Sequence, residues 1–481
     1  MFKKLSLLFL FAGFSSVGFS QEAGYDDILF NGRFSLNQNS DKHAGMLYRQ
    51  RKLEDKNSVF YYSRMDTSLA TTTSVLKVHR RNIALASTGN GNYSAHLFQR
   101  VGYDTVRTYI LGKEGEIISK KNRYRGYGKP KLNMLSKADN DSTFLLIYAA
   151  KSPRSYVIQK IDLMQKVLWE QKIQPEKGAH TMQLLVNNNN IWAIAATKPG
   201  SGKVVYTIYC LDGNSGSIVS QSKLNQPTDR REIGAIGFGP EQEIAINGRW
   251  FNKTRTSPNK PGQMFFTRIS PTGQRLADAT GNNAPSMLAL QKQKVLWEKL
   301  QYTPDGRWHV VGETFKSTSY MGHLMPRMAL AIMTFGYVNM GFSTVRTQDL
   351  LHLTLSPEGK LETFNNYRLP VTRYTFPNWI PPYRLAALAF NQGVFRYRGH
   401  FSNPFSVIIK TPEEVKIVNT QTHETSTLTH LNKTTNEDVF GVLGNKLLIF
   451  HGTRHDVGMW HVDLPSEIIP AKAEIPTEKQ P

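Results

Sequence analysis

Cysteine and acidic residues are the two scarce components of this chain. Its 481 residues include one cysteine, Cys210, so an intrachain disulfide is excluded and packing must hold the fold together. The neighbours Ile208, Tyr209 and Leu211 are typical of a strand, which predicts a buried thiol that is not a nucleophile. Lysine and arginine number 59 against 37 acidic residues, which gives a formal net charge of +22 and favours the capture of polyanions.

The apolar run at the N terminus is too short for a membrane span, which needs about 20 residues. Lys3 and Lys4 precede this run, which extends from Leu5 to Phe14, and small residues follow before Gln21. The pattern predicts a signal peptide over 1–20 and a mature chain that is exported to the periplasm or the extracellular space. The acidic partners expected there are an anionic glycan, lipopolysaccharide or another envelope component, whereas specific nucleic-acid recognition is not expected.

A sustained apolar period of 3.6 residues is absent, which argues against a helical fold. Short runs rich in Val, Ile, Tyr, Phe and Thr alternate with Gly, Asn and Pro turns, and this predicts an all-β chain. The clearest hairpins lie at 105–119, 204–220, 264–277 and 350–364.

Internal repeats indicate how these strands are organised. The sequence Gln-Lys-Val-Leu-Trp-Glu occurs at 165–170 and again at 293–298, a separation of about three repeats of the ~43 residues typical of a four-stranded propeller blade. We therefore predict a β-propeller over 21–464 with seven four-stranded blades. The blades are expected to begin near Ser74, Lys131, Thr181, Glu232, Trp297, Arg384 and Glu437.

The two ends of the predicted propeller differ from its regular blades. The last blade has only about three strands, and we predict that the stretch near Asp26–Tyr62 supplies the missing strand and closes the ring, which would remove exposed sheet edges. The tail over 465–481 is rich in Pro, Glu and Lys and is predicted to be disordered.

One hairpin resembles the quinoprotein-like propeller repeat, in which an Asp, a Ser/Thr-Gly pair and a final Trp recur. Asp212, Ser215 and Gly216 match this pattern, Ser220 stands in place of the Trp, and a partial match ends at Trp169. The resemblance covers about two blades and implies a fold but no cofactor, so no cofactor is expected. In general character the chain also resembles exported, uncharacterised β-propeller proteins of Bacteroidota-type bacteria.

An insertion over 316–348 is predicted to lengthen the fifth blade. The segment Met328–Val345 is uncharged, and its methionines suit an adaptable apolar contact with a protein partner or a membrane surface. The alternative is a hairpin or helix that folds back over the propeller. The candidate docking residues are Met328, Met333, Phe335, Tyr337, Met340 and Phe342. Methionine and histidine clusters there and near the C terminus suit ordinary surface positions better than ligation, so no metal site is predicted.

Three segments mix arginine with aromatic residues, around 122–131, 249–255 and 373–384. Arginine forms forked hydrogen bonds to carboxylate or phosphate, and aromatic rings offer flat faces for stacking, so these segments predict anion binding. Solvated loops with aromatic packing are the alternative. The candidate binding residues are Arg123, Tyr124, Arg125, Tyr127, Arg249, Trp250 and Trp379.

Signatures of named catalytic chemistry are absent, including the nucleophile-elbow and zinc-protease motifs. The sequence therefore favours an exported binding or scaffold protein that recognises an anionic envelope component. An acidic-glycan lyase or hydrolase is one alternative, because propellers host many chemistries. A scaffold that docks through 316–348 in an envelope assembly is the other.

Overall fold

The structure is a computed structural model. The described residues are 35–40, 43–50, 57–66, 71–79, 82–90, 92–100, 105–124, 131–137, 142–150, 155–175, 179–198, 204–225, 230–251, 263–280, 294–319, 342–377, 395–402, 405–432, 437–443, 446–452 and 457–464.

All regular structure in these ranges is β-strand, and the strands pair antiparallel into eight sheets. In each sheet, strands that are consecutive in the sequence are neighbours, as in the blade of a β-propeller. No helix in the described ranges is long and apolar enough to cross a membrane. The prediction of an all-β chain built from four-stranded repeats is confirmed.

The chain divides into two compact units, and the first, Met1–Asn282, holds five four-stranded sheets. Their strands are β1 (Ser35–Ser40), β2 (His43–Gln50), β3 (Asn57–Asp66) and β4 (Thr71–His79); β5 (Asn82–Asn90), β6 (Tyr93–Arg100), β7 (Thr105–Leu111) and β8 (Ile117–Tyr124); β9 (Lys131–Lys137), β10 (Thr143–Ala150), β11 (Ser155–Asp162) and β12 (Val167–Ile173); β13 (Ala179–Asn187), β14 (Asn190–Lys198), β15 (Val205–Asp212) and β16 (Ile218–Lys223); and β17 (Arg230–Phe238), β18 (Ile244–Phe251), β19 (Gln263–Ile269) and β20 (Arg275–Thr280).

The second unit, Asn283–Pro481, holds the sixth, seventh and eighth sheets. Their strands are β21 (Lys294–Tyr302), β22 (Trp308–Ser319), β23 (Phe342–Leu355), β24 (Leu361–Arg368) and β25 (Arg373–Pro377); β26 (Tyr397–Ser402), β27 (Phe405–Lys410), β28 (Glu414–Asn419) and β29 (Thr425–His430); and β30 (Asp438–Leu443), β31 (Lys446–Gly452) and β32 (Val457–Asp463).

The four predicted hairpins are the third and fourth strands of their sheets, as expected. The predicted starts near Lys131, Thr181, Glu232, Trp297 and Glu437 fall at the first strand of a sheet. The start near Arg384 lies outside the described residues, as do the predicted signal peptide and tail. Ser74 begins no sheet, because it lies in β4, the last strand of the first sheet.

The count of seven blades and the closure by the N-terminal stretch are not confirmed. Strands β1, β2, β3 and β4 pair in sequence order in a sheet of their own, and the eighth sheet has three strands within the described residues. The physical reason is local. The segment that ends at His79 contains enough strand to form a complete four-stranded meander without a partner strand from the C terminus.

Apolar side chains fill the space between consecutive sheets. Between the fourth and fifth sheets, Trp192, Ile208, Ile246 and Phe265 belong to one buried cluster. Cys210 lies in the same cluster and is fully buried, as predicted, and burial raises the pKa of its thiol to about 12.

Hydrogen bonds between consecutive sheets follow a repeated pattern. The turn between the third and fourth strands of one sheet contacts the outermost strand of the sheet before it. Ser119 in β8 donates to the carbonyl of Leu163 at 2.5 Å, and Ser220 and Ser222 in β16 donate to Pro271 at 2.7 Å and Gly273 at 2.9 Å. We call this contact the turn–strand contact. Ser220 forms it at the position where the quinoprotein-like repeat would have Trp.

Trp169 in β12 makes the turn–strand contact between the third and fourth sheets. Its indole donates to the carbonyl of Gly213 at 3.0 Å, and its ring lies against Gly216. Gly216 has a φ of 73°, and a Cβ atom added there would stand 2.5 Å from the ring. The turn therefore needs glycine both for its backbone conformation and for the close approach of the ring.

We predict that Gly216→Ala lowers stability by about 2 to 4 kcal/mol, because it adds a steric clash with Trp169 to the cost of a left-handed alanine. Gly306→Ala is the matched control, because Gly306 has a φ of 83° but a Cβ atom there would meet only the Tyr302 hydroxyl, at 3.8 Å. The control should lose about 1 to 2 kcal/mol. Thermal and urea unfolding measure the loss of stability in each variant. Equal losses would contradict a stabilising role for the turn–strand contact.

Candidate anion-binding site

Three of the binding residues predicted from the sequence have described side chains, and all three lie in the first unit. Each of them contacts other residues of the fold. Arg123 in β8 donates to the Gln165 carbonyl at 3.3 Å and to the Tyr148 hydroxyl at 3.4 Å. Arg249 in β18 forms an ion pair with Glu232, and Trp250 packs half-buried against the cluster between the fourth and fifth sheets. These contacts engage both guanidinium groups within the fold.

The remaining predicted residues are described only in part or not at all. The backbones of Tyr124 and Phe342 lie in β8 and at the start of β23. The others lie outside the described residues, namely Arg125, Tyr127, Trp379, Met328, Met333, Phe335, Tyr337 and Met340.

The ends of the predicted insertion form an extension of the sixth sheet. The long strands β22 and β23 remain paired as far as Ser319 and Ser343, and β25 pairs with β23 from Arg346 to Phe342. We call these paired residues, 315–319, 342–347 and 373–377, the arm. The arm joins the ends of the insertion to the third basic aromatic segment, two features that the sequence analysis treated separately.

Three cations lie directly opposite one another across the arm. The register pairs Lys316 with Arg346 and Arg346 with Arg373, so all three side chains emerge on one face of the sheet. All three are exposed, and none forms an ion pair or hydrogen bond with another described residue. We call them the cation row.

The opposite face of the central strand, β23, is buried, which fixes the cation row toward solvent. Val345 and Thr347, on either side of Arg346, are fully buried, and Phe315 packs edge to face on Phe395 with ring centroids 5.7 Å apart. Because side chains alternate between the two faces of a strand, burial of Val345 and Thr347 directs Arg346 outward. Like charges directly opposite one another destabilise a sheet, so the cation row is not explained by stability.

A buried ion pair holds the base of the arm. Arg396 and Glu313 are 1% and 0% exposed, and Nε of Arg396 donates to the Glu313 carboxylate at 3.1 Å. The guanidinium also donates to the carbonyl of Gln348 in β23 at 2.8 Å and to that of Pro370, shortly before β25, at 2.6 Å. One side chain therefore fixes all three strands of the arm relative to one another. Breaking such a pair on one side would leave an uncompensated buried charge.

A second buried acid, Glu298, lies in the same unit. The register of β21 and β22 skips Glu298, so it is the extra residue of a β-bulge, and neither of its carboxylate oxygens has a hydrogen-bond partner among the described residues. Burial, together with the charge of Glu313, raises the pKa of Glu298 well above its ordinary value. The neutral form is thus favoured, and this acid adds little negative charge near Arg396.

The sequence indicates the segments around the cation row but does not show that the three cations lie side by side. Arg346 lies in a local pattern of alternating buried and exposed residues, Val345-Arg346-Thr347, which is the one local signal that could have marked it. The pairing with Lys316 and Arg373 depends on register between strands that are distant in the sequence.

Comparisons with other proteins concern the fold. Among solved structures, the chain is similar to the β-propeller domain of the Trilobed protease from Pyrococcus furiosus (TM-score 0.38, 9% identity, 72% of this chain and 99% of that chain). It is also similar to a protein of unknown function from Bacteroides caccae (TM-score 0.31, 11% identity, 53% of this chain and 84% of that chain). A prolyl endopeptidase gives a TM-score of 0.40 at 10% identity and covers 94% of this chain, which spans 57% of that protein.

No protein-family model matches the chain, and neither does any curated protein. The architecture described above therefore rests on the strand pairing itself, and the resemblance to quinoprotein-like repeats stays a prediction.

We predict that Arg346→Glu stabilises the protein, because it converts two like-charged cross-strand pairs into two opposite-charged pairs. Each pair contributes about 0.2 to 1 kcal/mol, so the expected gain is about 0.4 to 2 kcal/mol at low salt, and it should shrink at high salt. The control is Lys77→Glu, an exposed position in β4 that pairs with Val59 and makes the same change in net charge. Thermal unfolding measures the stability of both variants. Equal gains in stability would contradict the predicted repulsion within the cation row.

Proposed function

We propose that this chain is an exported β-propeller binding protein that recognises an anionic component of the cell envelope through the cation row. The observation that carries the proposal is the exposure of Lys316, Arg346 and Arg373 directly opposite one another with no acidic partner among the described residues. Keeping three like charges together costs stability, and an anionic ligand would remove that cost when it binds.

The base of the arm supports the proposal. A binding surface gains affinity when its groups are held in place before the ligand arrives, since less conformational freedom is then lost on binding. The buried Arg396 side chain, with its bonds to Glu313, Gln348 and Pro370, provides that rigidity. The net charge of +22 adds a long-range attraction that speeds encounter with polyanions.

Two alternatives from the sequence stay predictions. An acidic-glycan lyase or hydrolase would release shortened products from a bound glycan, which a binding protein would not do. A scaffold that docks through the apolar residues of 316–348 would retain its protein partner after the cation row is neutralised.

The test is binding of the purified protein to lipopolysaccharide and to anionic polysaccharides at moderate salt. A variant with Lys316→Gln, Arg346→Gln and Arg373→Gln should bind about 100-fold more weakly, if each contact contributes about 1 kcal/mol. The control carries Lys77→Gln, Lys113→Gln and Lys166→Gln, which removes the same charge from exposed lysines of the first unit.

The control variant should bind within about threefold of the unaltered protein, since long-range charge alone contributes little at moderate salt. Equal weakening of the two variants would show that binding follows net charge, and the proposal would then be wrong.

A further inference from the structure

We infer that the ligand of the cation row is a linear polysaccharide with a carboxylate on each sugar, and that it crosses the arm perpendicular to the strands. This inference rests on the proposed function and gives the chemical class of its ligand. The observations that support it are the spacing of the three side chains, their charge, the residues beside them and the number of cations in the row.

The spacing of the row follows from sheet geometry. Neighbouring strands lie about 4.8 Å apart, and directly opposite Cβ atoms are separated by about 5 Å. The register Lys316–Arg346–Arg373 therefore places the bases of three cationic side chains in a line at regular intervals. A polymer with regularly repeated single charges matches this line.

The charge of the row argues against a small anion. A single phosphate monoester carries a charge of about −1.5 to −2, which leaves part of the row uncompensated. Convergence of the three side chains on one such group would also bring like charges together. Three carboxylates, one for each cation, neutralise the row without convergence, and the two arginines can bind theirs through forked hydrogen bonds.

The next register positions beyond the row, toward the end of the arm, are threonines. Two residues further along the strands, the register pairs Thr318 with Thr344 and Thr344 with Thr375. Among the arm residues whose side chains the structure describes, the exposed aromatic one is Tyr374, which pairs with Val345 and so belongs to the other face. Single-stranded nucleic acids require aromatic platforms between cations, and lipids require an apolar surface, whereas sugar hydroxyls can hydrogen-bond to a threonine such as Thr344.

The number of cations in the row predicts the length of ligand that it engages. Within the described residues, the pairing of β21 with β22 ends at Lys294 and Phe315, and β25 pairs with β23. The described row has three cations, which match three consecutive charged sugars.

The test measures affinity for galacturonate oligomers of one to six residues at a fixed moderate salt concentration. Affinity should rise roughly fivefold with each added residue up to three. Longer oligomers should gain only the small statistical factor of having more binding registers. Arg346→Gln should remove the gain at the second residue and leave only the roughly fivefold gain at the third, because it removes the middle charge, whereas Lys77→Gln should preserve both gains.

Four outcomes would overturn the inference. Equal affinity for one and three residues would indicate a single-anion site. Tighter, row-dependent binding of a single-stranded oligonucleotide would indicate a nucleic-acid ligand. Row-dependent binding of lipopolysaccharide without any binding of galacturonate oligomers would refute the ligand class and leave the proposed function intact, whereas an absence of any row-dependent binding would refute both.

Discussion

The turn–strand contact is the interaction on which the arrangement of the sheets in the first unit depends. A single four-stranded meander exposes two faces and two edges, and it can bury its apolar side chains only against the next meander. In the first unit, carbonyl groups at the third-to-fourth-strand turns accept hydrogen bonds from the preceding sheet, at Leu163, Gly213 and Pro271. Different donors, serine or tryptophan, perform the same task, which explains why the sequence repeats are weak although the structural repeat is regular.

In the second unit, a buried ion pair joins consecutive sheets. Arg396, shortly before β26, binds Glu313 in β22 and also fixes the base of the arm. Packing between sheets and presentation of the cation row thus depend on the same side chain. A binding surface that is built on paired strands and held by a buried ion pair can keep like charges close together, since the buried face and the backbone hydrogen bonds compensate for the repulsion.

Local features of this protein were predictable from the sequence, and nonlocal ones were not. The hairpins were found because their turns contain residues such as Pro271 and Gly273, whose backbone preferences act within a few positions. Burial of Cys210 followed from its apolar neighbours. The separate N-terminal sheet was missed because the choice of a partner for β1 is a competition between distant segments.

The candidate site shows the same difference between local features, which the sequence predicts, and nonlocal ones, which it does not. Arg123 and Arg249 were chosen for their composition, but composition does not show that Gln165 and Glu232 already engage them. The cation row depends on register across three strands, and a shift of one residue would send Arg346 to the buried face. Arg396 lies in a segment with two arginines that resembles an exposed basic stretch, and its burial becomes visible only in three dimensions.

The most direct measurement is zero-length cross-linking of a bound acidic polysaccharide, in which a carbodiimide joins a carboxylate to a lysine amine that contacts it. Mass spectrometry then locates the linked lysine. The account predicts that Lys316 is the main linked residue and that Arg346→Gln with Arg373→Gln strongly reduces the yield there. Links spread evenly over exposed lysines such as Lys77, Lys113 and Lys166 would contradict it.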